Sequence, residues 1–152
     1  MEARLIPRKV APGAYEALSE LQSYVNHCGL EQSFVELVKL RASQINNCAW
    51  CIDRHTKDAL AAGETERRLF LLAAWRECPF YTPRARAALA WTEALTSIAG
   101  DTVSDAVVEV TKVEFSELEL VNLNMAVIAI NCWNRMNVAF RVPPGDDKPV
   151  SP

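Results

Sequence analysis

The stretch ELVKLRASQINNCAWCIDRH, Glu36 to His55, decides how this chain is read. Its first half continues a helix expected over about Ser33 to Ile45, with Ser33 and Glu36 in the spacing of a capping box. Asn46-Asn47 breaks that helix, and the next one begins near Cys48 and closes at Gly63. Within it, Cys48, Cys51 and His55 stand three and four residues apart, so a helix from Cys48 onward carries all three on one face. Glu36, with eleven residues between it and Cys48, reaches them from the preceding helix. These four residue types suit thiol chemistry. A thiolate is the nucleophile, and a free cysteine is only a few per cent ionised at neutral pH. Helix-start amides favour negative charge on the cysteines, His55 takes a proton, and a carboxylate behind it holds the tautomer. Two cysteines at this spacing explain each other, because one closes a disulfide on the other once it is oxidised. Cβ atoms three apart in a regular helix lie about 5–6 Å apart, whereas a disulfide needs roughly 3.5–4.5 Å. The pair therefore belongs at a frayed helix start.

Outward from this stretch the chain reads as helix throughout. A first helix runs from about Gly13 to Cys28 behind Pro12, and a fourth from Thr65 to about Glu77. Thr82-Pro83 opens a fifth that reaches about Ile98. A short sixth follows Ser104, where β-branched Val107–Val113 leaves a strand open as the alternative. Ser116-Glu117-Leu118-Glu119 is a second capping box and starts a last helix of about twenty residues, to Val138. The expectation is an all-α bundle of six or seven helices in one domain, with arms over about 1–11 and 142–152, the latter holding four prolines. The last helix is apolar on nearly every face, which predicts a subunit interface and a homo-oligomer.

Composition narrows the function. With 152 residues, 50% of them hydrophobic, the chain supports one real core. A net charge of -3 without a basic stripe gives no argument for nucleic acid. The longest apolar run, Met125 to Ile130, is far short of the roughly 20 residues that span a bilayer, and the N-terminus has no apolar leader core. The expectation is a soluble, cytoplasmic protein with no membrane partner. Five cysteines, three of them scattered (Cys28, Cys78, Cys132), do not make a secreted disulfide framework. The scattered three read as inert, His27 has no partner at ligand spacing, and Trp50 reads as a packing or interface residue.

Zinc is the chemical competitor: Cys48, Cys51, His55 and Glu36 are four donors. A structural zinc site usually pairs two separated knuckles, and this chain has one. No metal or organic cofactor is expected.

The pattern E-x(11)-C-x(2)-C-x(3)-H, here Glu36, Cys48, Cys51 and His55, resembles the alkyl hydroperoxidase D (AhpD)-like branch of the carboxymuconolactone decarboxylase family. So do Trp91–Thr96 and Ile130–Arg135, and the similarity spans about Glu16 to Phe140. The resemblance implies an all-helical fold assembled into trimers or hexamers, with thiol-dependent peroxide reduction or disulfide exchange near a subunit interface. It implies a peroxide or disulfide substrate and a thiol reductant. It casts Cys51 as the attacking thiol, Cys48 as the resolving one, His55 as the proton relay and Glu36 as the distant acceptor. The best-known branch has a histidine where this chain has Trp50, and the decarboxylase branch lacks the cysteine pair. Two other functions stand beside the enzyme: a redox sensor or adaptor that reacts once per oxidation, and a decarboxylase-type acid/base catalyst that needs His55 but neither cysteine.

Overall fold

In the computed structural model, which describes residues 2–100 and 102–145, eight α-helices and one 3₁₀ segment follow one another, with no strand among the described residues. They are α1 (Pro7–Val10), α2 (Pro12–His27), α3 (Gln32–Ile45), α4 (Ala49–Ala61), α5 (Glu66–Leu71), a 3₁₀ segment (Leu72–Glu77), α6 (Pro83–Thr96), α7 (Asp105–Glu114) and α8 (Glu117–Phe140).

α3 is the centre of the bundle and packs against α4, α6 and α8. Val35, Leu37, Val38, Leu40 and Ala42 are all buried, and so are Glu36, Lys39 and Ser43 between them. A helix enclosed on this many sides must pair its polar groups internally, because an unpaired buried one costs about 1–3 kcal/mol. Those polar groups make the site described below.

The last helix combines a buried side with exposed apolar residues. α8 has buried Leu123, Ala126, Val127 and Ile130 on one side, but leaves Leu118 68% and Val121 57% exposed within the chain. The capping box that opens it is complete, with Ser116 Oγ accepting from the Glu119 amide and Glu119 accepting from the Ser116 amide.

Three expectations are corrected. Ser33 does not cap α3, which starts one residue earlier behind Glu31 and has no side-chain cap; Glu36 is thereby free for partners on α4. The helix expected over Thr65 to Glu77 divides at Leu71, and Ala74 leaves helical geometry. Leu69, Leu72, Trp75 and Cys78 are all buried at a spacing of three, which a 3₁₀ helix aligns on one face and an α-helix does not. Val107–Val113 is helical as expected, not the alternative strand, and is capped by Ser104. The expected N-terminal arm contains the turn α1, and Arg4 bonds to the carbonyls of Ala139 and Phe140 at the end of α8. From 146 onward the C-terminal arm lies outside the described residues.

Among the described residues no helix is long and apolar enough to cross a membrane.

Candidate active site

The α3–α4 turn places the cysteines. Asn47 takes φ 53°, the left-handed conformation that asparagine tolerates better than most side chains. Its amide bonds to Gln44 O at 3.2 Å and the Cys48 amide bonds to Ser43 O at 3.0 Å, a Schellman closure of α3. The next residue begins α4, so Cys48 is at once the last residue of one motif and the N-cap of the next helix. Its extended backbone (φ -89°, ψ 95°) lies outside the regular helix. This relieves the separation that a CxxC pair suffers inside a helix. Cys48 Sγ and Cys51 Sγ lie 2.9 Å apart as two thiols sharing a hydrogen, and are 1% and 0% exposed. They pack with Ala42 and Ile130, flanked by Trp50 and Trp133.

One turn beyond Cys51 on the same helix, His55 Nδ1 meets Glu36 Oε2 at 2.6 Å. A carboxylate only accepts, so Nδ1 carries the hydrogen and Nε2 of the neutral ring keeps its lone pair for a proton. Glu36 is 1% exposed. Burial is the largest influence on its carboxyl and pushes its pKa up. The hydrogen bond and charge of His55, then those of Lys39, outweigh it and hold the pKa at about 2. Lys39 Nζ lies 2.9 Å from Glu36 Oε1, to which Gln32 also donates at 2.6 Å. All four expected residues are therefore buried on α3 and the first two turns of α4, in two contacting pairs: Cys48 with Cys51, and Glu36 with His55.

The sulfurs share their charge unequally. The Cys51 thiol is the main influence lowering Cys48 to about 7; burial opposes it, and the Cys51 amide and the carboxamides of Asn134 and Asn137 assist. Cys51 moves the other way, far up, through the hydrogen bond it shares with Cys48 and its deeper enclosure. The hydrogen bond between the sulfurs thus favours a single negative charge on the pair.

Several contributors have no place in the four-residue pattern. Lys39 and Gln32 complete the shell of Glu36. From α8, Asn137 Nδ2 donates to Cys51 Sγ at 3.3 Å. Asn134 donates to Ser43 Oγ at 3.1 Å and accepts from Asn46 at 2.9 Å. The only sign of these in the sequence is Asn131, Asn134 and Asn137, three apart in an otherwise apolar helix. Beside them is a cavity of about 230 Å³ lined by Asn46, Asn134, Arg135, Val138 and Ala139.

The donor set of the zinc alternative is not gathered. Among the described residues, the one cluster of potential metal ligands is Glu36, His55 and Asp58, without either cysteine. It fits a cation poorly, because Lys39 and His55 already hold the two oxygens of Glu36 and Arg54 holds Asp58 Oδ2 at 2.7 Å.

An all-helical bundle with a CxxC pair leading its fourth helix and a glutamate–histidine pair behind it defines a protein class. The chain belongs to the carboxymuconolactone decarboxylase family, whose sequence profile matches residues 12–94, and within it to the AhpD-like proteins. It is 37% identical over 140 residues to YdfG, an uncharacterized protein of Bacillus subtilis (strain 168), covering 92% of this chain and 95% of that one. ATU0492 from Agrobacterium tumefaciens, a protein of unknown function provisionally assigned as the antioxidant defence protein AhpD, has a crystal structure that superposes with a TM-score of 0.93. It is 40% identical, over 96% of this chain and 100% of that one. At 17% identity, the AhpD core of a peroxidase-related protein from Ralstonia eutropha JMP134 shares the fold, with a TM-score of 0.80 over 91% of this chain and 74% of that one.

Proposed function

We propose that the protein is a thiol-dependent oxidoreductase that reduces a peroxide or exchanges a disulfide at Cys48 and Cys51. The observation that carries this reading is the 2.9 Å contact between two sulfurs at the N-cap of α4, since only a small inward movement closes the bond. The 40% identity to ATU0492 over nearly the whole chain supports an antioxidant role.

With a peroxide ROOH, the thiolate of one cysteine attacks an oxygen. The O–O bond breaks, the alkoxide takes the proton that the attacking thiol gave to His55 Nε2 and leaves as ROH, and a sulfenic acid forms. The second thiol loses its proton to His55 Nε2, attacks the sulfenic sulfur, and expels hydroxide, which leaves as water with that proton. Two electrons have passed from the two sulfurs to the peroxide, and an external thiol reductant restores the pair. The family resemblance makes Cys51 the first attacker, and His55 stands one turn along the same helix. We keep that order, with Cys48 resolving. No organic cofactor enters. Five unpaired cysteines suit a reducing, cytoplasmic setting.

The sulfurs' near-complete enclosure favours a small oxidant, with the Asn46–Asn134 cavity as its proposed approach. It also favours, as a second reading, a sensor that reacts once and signals through its oligomer. Exposed apolar residues on α7 and α8 (Val113, Leu118, Val121) are the surface on which we expect copies of the chain to assemble.

Mass spectrometry after one equivalent of peroxide, mapped to individual cysteines, tests the reading. A Cys48–Cys51 disulfide is expected, with many turnovers per site when a dithiol is supplied. Oxidation confined to Cys28 or Cys132 would refute it, and a single turnover would select the sensor.

A further inference from the structure

The hydrogen bond from α8 to the sulfur pair has no counterpart in the four-residue pattern. Asparagine is a poor helix former, because its amide competes for the backbone, and burying it without a partner costs about 1–3 kcal/mol. At Asn137 a leucine would satisfy both the helix and the neighbouring apolar cluster of Ile130, Ala42 and Trp133. Instead a buried carboxamide sits there, and its Nδ2 donates to Cys51 Sγ at 3.3 Å. Its neighbour one turn earlier is fixed from two directions: Asn134 bonds both Ser43 on α3 and Asn46 in the turn. The α8 backbone is thereby tied to the segment that carries Cys48.

A neutral thiol or a disulfide is a weak acceptor, whereas a thiolate accepts strongly. A donor held at this position therefore stabilises the reduced, charged pair more than the oxidised one. The buried charged groups on the packed helices are Glu36 and Lys39 from α3 and His55 and Asp58 from α4, while α8 contributes the neutral Asn134 and Asn137.

We propose that Asn137 is a further catalytic residue of this site: its amide N–H holds negative charge on the Cys48–Cys51 pair and so sets the reduction potential of the disulfide. The inference rests on the redox reading above. The carboxamide also acts in the direction expected of it, favouring the charged form of both sulfurs.

The test equilibrates full-length protein in graded reduced and oxidised dithiothreitol at pH 7 and reads the Cys48–Cys51 disulfide by peptide mass. Asn137→Leu keeps the volume and loses the donor. Asn137→Asp keeps the shape, loses the donor and adds a charge, and it remains available should the leucine variant not fold. Both are expected to shift the equilibrium about tenfold toward the disulfide, about 30 mV for a two-electron couple. Both should also raise the pH of half-maximal alkylation of the pair. A merely structural asparagine would lower the melting temperature and leave both readouts unchanged, which would overturn the proposal. If the wild-type protein forms no such disulfide anywhere in the series, the redox reading and this inference fall together. If it does and the variants match it within twofold, only this inference falls.

Discussion

The charge asymmetry of the sulfur pair gives a prediction with a distinctive shape. Cys48 is held at about 7, against an ordinary 9.0, chiefly by the hydrogen bond it shares with the Cys51 thiol 2.9 Å away. Replacing Cys51 by Ala removes that partner and returns Cys48 toward 9. At pH 7 the thiolate fraction then drops from about one half to about 1%, close to fifty-fold. The more basic thiolate is also a better nucleophile: with a Brønsted coefficient of about 0.4–0.5, two pKa units give back roughly eight-fold. The net expectation for Cys51→Ala is that Cys48 is alkylated by iodoacetamide about six-fold more slowly at pH 7. As the pH rises, the ordinary thiol ionises and its greater nucleophilicity takes over. The two curves should cross near pH 8, with the variant faster above it. The assay is the pH dependence of the alkylation rate of the Cys48 peptide, followed by mass spectrometry. An unchanged midpoint in Cys51→Ala would refute the reasoning. So would a constant ratio of rates across the pH range, or preferential alkylation of Cys51 in the wild type.

Other consequences are less elaborate. Either Cys48→Ser or Cys51→Ser should abolish peroxide-dependent consumption of a dithiol, and full retained turnover in a coupled thiol assay would exclude that cysteine. His55→Ala should slow turnover most below neutral pH, where the thiolate is scarcest, and pH profiles parallel to the wild type would argue against the relay. The low pKa of Glu36 means that its folded state binds a proton less readily than the unfolded chain. Its contribution is therefore present above about 4.5 and lost as pH falls toward 2. Some 2.5 units correspond to about 3 kcal/mol at most. Glu36→Gln should lower the urea midpoint at pH 7 and flatten its fall between pH 4.5 and 2, and equal slopes in both proteins would contradict this. Sedimentation at micromolar concentration should show an assembly that Leu118→Glu with Val121→Glu reduces; a wild-type monomer would remove the interface.

What the sequence made legible follows from how local the determinants are. Ser116 with Glu119, Thr82 with Pro83, and Gly63 after Ala62 act within one turn of backbone, and the structure has each where the local rule puts it. The CxxC-H spacing works the same way, since three and four residues along one helix determine a shared face. Glu36 is the instructive case. Its neighbours in sequence indicate a cap, but its partner His55 is nineteen residues away, and tertiary packing prevails over the capping box. Asn134 and Asn137 were not legible because their partners, Ser43 and Cys51, are 91 and 86 residues distant. No periodicity connects α8 to the α3–α4 turn. The 3₁₀ segment was missed for a different reason: a spacing of three over Leu69, Leu72 and Trp75 also fits a loosely packed α-helix until the core around Trp75 is known.

The buried ions at the centre of this bundle also explain why Lys39 belongs to the site. A Glu36 carboxylate enclosed on α3 demands a counter-charge. Lys39, 2.9 Å away and equally enclosed, supplies that counter-charge. Glu36 can then orient the imidazole through Nδ1 without consuming its capacity to accept. The proton that His55 receives is balanced by the sulfur that released it, so the enclosed charge is the same before and after the transfer. A transfer that creates no net charge is the only kind a closed, low-dielectric site performs cheaply. By this argument the buried lysine of the ELVKL segment is as much a part of the proton path as the histidine it never touches.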